Sequence, residues 1–288
     1  MAGWVRMAAR PRTTKIRTTA PRGLNLLLVE DNRINQMVAA TLLEDDGYLV
    51  AIAEDGLQAL ELAANTRFDA ILMDVQMPRL DGIGATRRLR DGDGPNRQTP
   101  IIALTANALE GDRERYLAVG MNDYLSKPFE LENVRAVVAH WVSGGEAPVP
   151  PAQLPVPSPA GIDAVAVLDE SRLAGLEARI AAPKFAAMIR AFQENADQRL
   201  RRMADAGAAD DVATLEREAH SLVGAAANVG ALQLAAVARR IELACKTLRC
   251  EDLEWQLDEL QRVVPAAQRA LSDRFLKPGA GTPNVAAG

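Results

Sequence analysis

Charged and polar residues suited to binding metal and phosphate lie at the ends of short apolar runs in the first half of the sequence. They are Glu30 and Asp31 after the first run, Asp74 after the third, and Thr105 and Lys127 at the ends of the fourth and fifth. In an open parallel sheet, residues beyond the carboxyl ends of neighbouring strands converge on one crevice. Three carboxylates crowded there repel one another unless a cation joins them, and Mg²⁺ prefers carboxylate oxygen and binds alongside phosphate. The pattern therefore predicts a magnesium site in that crevice.

The elements that must position these residues alternate between strands and helices. Short apolar runs indicate buried parallel strands, and apolar residues three or four apart indicate helices. Strands are predicted at Leu24–Val29, Tyr48–Ala53, Asp69–Met73, Ile101–Thr105 and Asp123–Ser126, and helices at Asn35–Asp46, Gly56–Asn65, Gly82–Arg90, Glu110–Val119 and Leu131–Val142. Five strands alternating with five helices predict an α/β fold, a doubly wound parallel sheet covered on both faces.

The residues at these strand ends resemble the receiver domains of two-component signalling. The resemblance rests on Val29-Glu30-Asp31-Asn32, Met73-Asp74-Val75-Gln76-Met77-Pro78 with Asp81-Gly82, Thr105-Ala106, and Lys127-Pro128-Phe129. These elements occur in order, each at a strand end, within Leu24–Val142. The resemblance implies a flavodoxin-like, five-stranded parallel sheet and a phosphorylated aspartate that requires Mg²⁺.

The same resemblance assigns a role to each residue of the crevice. It implies that Asp74 is the nucleophile that accepts a phosphoryl group from a phosphohistidine donor. Glu30 and Asp31 would hold Mg²⁺ together with Asp74, and the backbone carbonyl of Gln76 would add a further ligand. Lys127 would pair with the phosphoryl oxygens. These roles agree with the general need of phosphoryl transfer for positioning and for stabilised equatorial oxygens.

A switch is expected to start at the same place. By the resemblance, Thr105 hydrogen-bonds a phosphoryl oxygen, so phosphorylation of Asp74 would draw Thr105 inward and let an aromatic side chain fill the vacated space. Tyr124 stands where such an aromatic lies in receivers. The alternative is a half-buried strand tyrosine without a switching role. Pro128 follows a cis bond in the family, which the sequence alone leaves open.

The second half of the sequence is predicted to be helical. Helices are indicated at Leu168–Ala181, Pro183–Ala206, Asp210–Ala227, Leu232–Leu248 and Cys250–Phe275. Long helices with short connections predict an antiparallel bundle. Residues 143–162 contain six prolines and are predicted to form a semi-rigid linker. The predicted domains are therefore 24–142 and 163–275, flanked by a basic arm at 1–23 and a tail at 276–288, both predicted to be disordered.

One histidine of the predicted bundle lies beside its apolar stripe. The imidazole of His220 is expected to point toward solvent, and Gly224, one turn on, leaves it open to another protein surface. The stripe itself consists of Val212, Leu215, Ala219, Leu222 and Ala226. His140, the only other histidine, is expected to be a surface or capping residue.

The segment His220–Gly230 resembles the signature of histidine phosphotransfer (Hpt) domains, helical bundles whose exposed histidine relays phosphoryl groups between receivers. One position departs from it, because Val223 stands where the family usually has lysine. The missing cation is expected to weaken stabilisation of the phosphoimidazole or of the docked receiver. Candidate substitutes are Arg217, Arg239 and Arg240.

Composition limits the other classes of function. The 288 residues favour two domains, and 48% hydrophobic with 25% charged residues is an ordinary globular mixture. A net charge of −5 and 4% aromatic residues argue against nucleic acid, and no apolar run suits a membrane span. Cys245 and Cys250 lack metal or redox spacing, and a reducing cytoplasm is expected. The basic arm is interpreted as disordered or as a linker end, although its composition resembles an organelle transit peptide.

The leading hypothesis is a phosphorelay protein that receives a phosphoryl group from a sensor histidine kinase at Asp74. His220 would relay it to a separate response regulator, and direct transfer from Asp74 to His220 is left open. No ATP-binding kinase module is recognised, so the chain is interpreted as transfer modules, either self-contained or the C-terminal part of a hybrid histidine kinase. One alternative is a phosphorylation-dependent binding switch whose bundle only docks. Another, a metal-dependent phosphatase, is disfavoured because Gln76 replaces the required general-acid aspartate.

Overall fold

The computed structural model describes residues 23–105, 112–128, 130–145, 165–247 and 253–277. The basic arm up to residue 22, the linker from 146 to 162, the tail from 278, Ala106, Phe129 and Cys250 lie outside the described residues. The first domain consists of β1 (Asn25–Val29), α1 (Arg33–Asp45), β2 (Leu49–Ala53), α2 (Gly56–Asn65), β3 (Ala70–Asp74), α3 (Gly82–Asp91), β4 (Ile101–Thr105), α4 (Asp112–Ala118), β5 (Asp123–Ser126) and α5 (Leu131–Val142).

The five strands form one parallel sheet in the order β2-β1-β3-β4-β5. Residues of β3 and β4 are entirely buried, as expected for strands covered by helices on both faces. The order reverses between β1 and β3, which places their carboxyl ends beside one crevice, as in flavodoxin-like sheets. The predicted α/β fold and its strands are confirmed, with ends that differ by at most one residue.

The second domain is helical throughout its described residues. It consists of α6 (Glu170–Glu177), α7 (Ala182–Ala208), α8 (Val212–Asn228), α9 (Leu232–Lys246) and α10 (Leu253–Phe275). The four long helices pack in sequence order, and α10 closes the bundle against α7. Short connections at 209–211 and 229–231 make successive helices antiparallel. The first predicted helix was too long, because α6 ends at Glu177 and a turn separates it from α7.

Helix α1 is apolar on two sides and thereby joins the domains. Its residues Ala39 and Leu43 pack under the sheet, in the core that contains Leu72 and Leu104. On its other side, three buried residues share one apolar cluster with α7 and α8 of the bundle: Ile34, Val38 and Leu42. We call this contact the junction.

Within the described residues, no helix combines the length and the apolar character that crossing a bilayer requires.

Candidate functional site

Three carboxylates meet at the carboxyl edge of the sheet. Oxygens of Glu30, Asp31 and Asp74, which we call the acidic pocket, lie within 4.8 Å of one another. Lys127 reaches the pocket from the end of β5, and its Nζ lies 2.6 Å from both Glu30 Oε2 and Asp74 Oδ2. Sheet topology therefore brings together predicted residues from the ends of three separate strands.

The electrostatics of the pocket are those of a cation site. Burial, with smaller contributions from Glu30 and Asp31, raises the pKa of Asp74 to about 7, although the positive charge of Lys127 opposes the rise. Burial and Glu30 likewise raise the pKa of Asp31 to about 6. Burial alone would lower the pKa of Lys127, but Asp74 and Glu30 raise it. One lysine does not balance three carboxylates, so the donor set fits a hard divalent cation.

Local backbone structure fixes the position of Asp74. A Cβ atom at Gly82 would clash with the main-chain oxygen of Asp74, so the residue that begins α3 must be glycine. Asp81 caps that helix by accepting from the Gly84 amide at 2.6 Å. The main-chain N–H of Gln76 donates to Asp74 Oδ1 at 3.2 Å. The role of the Gln76 carbonyl as a metal ligand stays a prediction.

Thr105 has an aromatic neighbour that the sequence did not indicate, and the switching role of Tyr124 stays a prediction. Tyr116 of α4 is buried, and its hydroxyl donates to Thr105 Oγ1 at 3.3 Å. Tyr124 is half-buried and packs against the apolar cluster on that side of the sheet. Tyr116 was missed because α4 has few patterned residues to orient it. The Lys127–Pro128 peptide is cis, as the resemblance implied.

His220 is buried, which corrects the expectation that its imidazole points to solvent. Only 8% of the residue is exposed, because the receiver-like domain covers the face of α8 that carries it. The imidazole lies close enough to Asp74 for its charge to lower the pKa of that carboxyl. The expected apolar stripe does face the bundle core, where Leu215, Ala219 and Leu222 are buried. The open face beside the stripe is occupied by the junction.

A buried carboxylate on the neighbouring helix anchors the imidazole. Glu242 of α9 is fully buried, and its Oε1 lies 2.8 Å from His220 Nδ1. The same carboxylate accepts from Lys246 at 2.7 Å and from Arg239 at 3.3 Å. Burial alone would raise the pKa of Glu242, but the hydrogen bond and charge of His220, with Lys246, lower it to about 2. Because a carboxylate only accepts, Nδ1 carries a proton, and in the neutral ring Nε2 keeps its lone pair.

A cation from another helix lies near His220, where the sequence has Val223 instead of lysine. Val223 is buried in the apolar cluster of the junction. Lys246 lines the same cleft as His220, and no sequence pattern indicated this. Among the suggested substitutes, Arg239 contacts Glu242, Arg217 is exposed and lines the same cleft, and Arg240 lies over the Trp255 ring.

An open cleft of about 530 Å³ runs between the two domains to the site. Its walls include Gln76, Thr105 and Tyr116 from the first domain and His220 and Lys246 from the second. The junction brings these two sets of residues into one site.

The remaining candidates lie away from this site. His140 is half-buried and packs edge-on against Trp141. Cys245 is buried in the bundle core.

Comparison with known families matches the two halves separately. Residues 26–139 match the response regulator receiver domain family, and residues 187–273 match the Hpt domain family. This chain is a receiver domain followed by an Hpt domain. Receiver and Hpt domains together are modules of phosphorelay signal transduction, which is the function that the sequence predicted.

Several relatives of this chain are histidine kinases. The sensor histidine kinase GacS of Pseudomonas protegens is 33% identical over 260 residues, 88% of this chain, but the chain spans only 28% of GacS. BarA of Escherichia coli is 40% identical over 121 residues, 42% of this chain and 13% of BarA.

Two examples illustrate the solved structures that match the receiver domain. The receiver of kinase PA1611 from Pseudomonas aeruginosa, solved with magnesium in its active-site cleft, is 49% identical with a TM-score of 0.40, over 42% of this chain and 99% of that one. The receiver of yeast Ssk1, solved with the phosphotransfer protein Ypd1, is 30% identical with a TM-score of 0.39, over 42% and 90% of the two chains.

Proposed function

We propose that this chain passes a phosphoryl group from Asp74 directly to His220 of the same chain. The observation that carries the proposal is the junction, which buries His220 against the acidic pocket with its Nδ1 held by Glu242. A histidine that served only in docking would need neither a free Nε2 nor a position close to Asp74. In this proposal the receiver and the Hpt domain carry out consecutive steps of one phosphorelay.

The first step loads the receiver. A carboxylate oxygen of Asp74 attacks the phosphorus of a phosphohistidine donor, the P–N bond breaks, and its electron pair returns to the donor imidazole. Lys127 neutralises the phosphoryl oxygens, and Thr105 hydrogen-bonds one of them. Glu30, Asp31 and Asp74 would hold Mg²⁺, which when bound supplies further neutralisation of the transferring oxygens.

The second step empties the receiver into the Hpt domain. His220 Nε2 attacks the phosphorus of the Asp74 acyl phosphate, the P–O bond breaks, and its electron pair returns to the Asp74 carboxylate. Glu242 keeps the proton on Nδ1, so Nε2 is the nucleophile, and it stabilises the positive charge that forms on the ring. Lys246 stands near the phosphohistidine in place of the lysine that Val223 replaces.

The proposed partners follow from these two steps. A sensor histidine kinase supplies the phosphoryl group to Asp74, and the receiver of a downstream response regulator takes it from His220. Both exchanges need the junction to open, because it covers Asp74 and His220. We also propose that these domains work in the cytoplasm, where the Cys245 thiol stays reduced.

The test loads the chain with a radiolabelled small acyl phosphate and Mg²⁺. Asp74→Asn should abolish all label, and His220→Gln should keep label on Asp74 but none on histidine. The two forms are separable, because an acyl phosphate is cleaved by base and by hydroxylamine, whereas phosphohistidine is cleaved by acid. Wild type should show phosphohistidine that appears after the acyl phosphate.

The binding-switch alternative predicts another outcome. If His220→Gln passes label to a downstream receiver as well as wild type does, the Hpt domain only docks and the relay proposal is wrong.

A further inference from the structure

A row of hydrogen bonds crosses the junction from the Hpt domain to the acidic pocket. Arg172 Nη2 donates to Asn228 Oδ1 at 3.0 Å, and Arg172 Nε donates to the Asn228 main-chain oxygen at 3.1 Å. Asn228 Nδ2 donates to Asn35 Oδ1 at 2.9 Å, and Asn35 Nδ2 donates to Glu30 Oε1 at 2.8 Å. The row links the end of α8 to a carboxylate of the pocket through one residue of α1.

The two ends of this row fix its direction. A guanidinium only donates, so Arg172 requires the oxygen of the Asn228 amide. A carboxylate that pairs with Lys127 accepts, so Glu30 requires the nitrogen of the Asn35 amide. Each asparagine side-chain amide therefore has only one orientation that satisfies its partners. In this orientation the receiver presents the Asn35 amide oxygen to the Hpt surface.

Burial makes a mismatch at this contact costly. Asn35 and Asn228 are 3% and 4% exposed, so neither can exchange its partner for bulk water while the domains are docked. Asn35 also has no room to retreat, since a Cβ at Gly224 would already lie 2.9 Å from its Nδ2. An Hpt surface that docks here must therefore donate a hydrogen bond to the Asn35 side-chain oxygen.

A second polar contact of the junction lacks this selectivity. Asn32 Nδ2 donates to Ser221 at 3.2 Å and 3.3 Å, to the main-chain oxygen and to Oγ respectively. Every residue offers a main-chain oxygen, so a change of side chain at Ser221 leaves one acceptor in place. The pair of Asn35 and Asn228 depends on side chains alone.

We propose that the Asn35–Asn228 pair is the specificity-determining contact of this receiver. It selects Hpt surfaces that offer a hydrogen-bond donor at the position of Asn228 and rejects those that offer an acceptor. This inference rests on the proposed function, because the reaction that it selects is transfer from Asp74 to His220.

The test compares the rate of phosphohistidine formation in full-length variants, normalised to the label on Asp74. Asn228→Asp exchanges the donor for an acceptor, and we expect transfer to slow roughly 10- to 100-fold. Asn228→Ala only removes the donor, and we expect a loss of less than about tenfold. Gln268→Glu is the matched control, since it makes the same amide-to-carboxylate change on α10, which packs against α7 and α9.

A coupled variant separates recognition from general damage to the bundle. In an Asn35→Ala background the acceptor of the receiver is gone, so Asn228→Asp and Asn228→Ala should transfer at the same rate. Equal rates of the two variants with Asn35 present, or an Asn228→Asp defect that survives Asn35→Ala, would overturn the inference.

The remaining outcomes of the experiment also decide between the inference and the proposed function. If circular dichroism shows that Asn228→Asp is unfolded, a double-mutant cycle of Asn35→Ala and Asn228→Ala replaces it. Additive effects of the two substitutions on the transfer rate overturn the inference. A double variant that is no slower than the slower single variant supports it. If wild type forms no phosphohistidine, the proposed function fails; if wild type transfers and Asn228→Asp transfers equally, only the specificity inference fails.

Discussion

Glu242→Gln is the sharpest test of how His220 is activated. Glutamine has nearly the same shape but offers only one acceptor, whereas Glu242 accepts from His220, Lys246 and Arg239 at 2.7 to 3.3 Å. Two nearby cations compete for that oxygen, so the amide NH₂ turns to His220 Nδ1 and the ring proton moves to Nε2. The nucleophilic lone pair is then lost. One charge-assisted hydrogen bond contributes about 1.5–3 kcal/mol, which corresponds to transfer slowed roughly 10- to 100-fold.

The same substitution changes stability in a pH-dependent way. The pKa of Glu242 lies at about 2 against an ordinary value of 4.5, so its ionised form stabilises the fold above pH 4.5. That contribution is about 3 kcal/mol at neutral pH and is lost as the pH falls from about 4.5 toward 2. Glu242→Gln should therefore lower the free energy of unfolding at pH 7 and flatten its acid dependence.

The assay measures phosphohistidine formation after Asp74 is loaded, with imidazole nitrogen NMR as a readout of the tautomer. His140 is the only other histidine, so the signals can be assigned with one variant. Glu216→Gln is the control: it makes the same change on α8, where Glu216 is only partly buried and lies 4.0 Å from Lys246. Wild-type transfer by Glu242→Gln, or an Nδ1 proton retained in it, would refute the assigned role.

Three further predictions test the site and the junction. Gly224→Ala should slow transfer several-fold while Asp74 still accepts label from a small acyl phosphate, because the new Cβ meets Asn35 at 2.9 Å; unchanged transfer speaks against the close approach. Calorimetry should show Mg²⁺ binding at least about tenfold weaker at pH 5.5 than at pH 8, because protons compete at Asp31 and Asp74, whose pKa values lie at about 6 and 7; equal affinity contradicts this. Ile34→Glu, which puts a charge into the buried junction, should abolish transfer and speed the labelling of Asp74; slower labelling would show that the junction does not cover it.

The receiver fold was predictable because each of its elements has a local signal. Apolar runs and three- or four-residue spacing located all five strands and all five helices of that domain. In a parallel sheet the carboxyl ends of the strands lie at one edge. The proximity of strand-end residues such as Asp74 and Lys127 could therefore be predicted from the parallel arrangement of the strands. The first helix of the bundle was predicted less well, because α6 ends where no glycine or proline marks a stop.

The site between the domains was not predictable in this way. His220 was placed toward solvent because a pattern within one helix does not say what covers its outer face. The signal that was available lies in α1, where Ile34 and Val38 extend the apolar surface beyond what the sheet needs. Glu242 and Lys246 lie one turn apart on α9, and nothing in their spacing distinguishes a buried anchor from a solvated pair. Their roles depend on packing between helices.

The most direct test of transfer within one chain is the dependence of its rate on protein concentration. The tethered junction corresponds to an effective concentration on the order of millimolar, far above that of the assay. The account predicts that the rate constant for phosphohistidine formation in wild type stays the same when the protein is diluted. A mixture of full-length Asp74→Asn and His220→Gln chains should transfer slowly and at a rate that rises with concentration. A wild-type rate that falls in proportion to dilution, or a mixture as fast as wild type, would contradict the account.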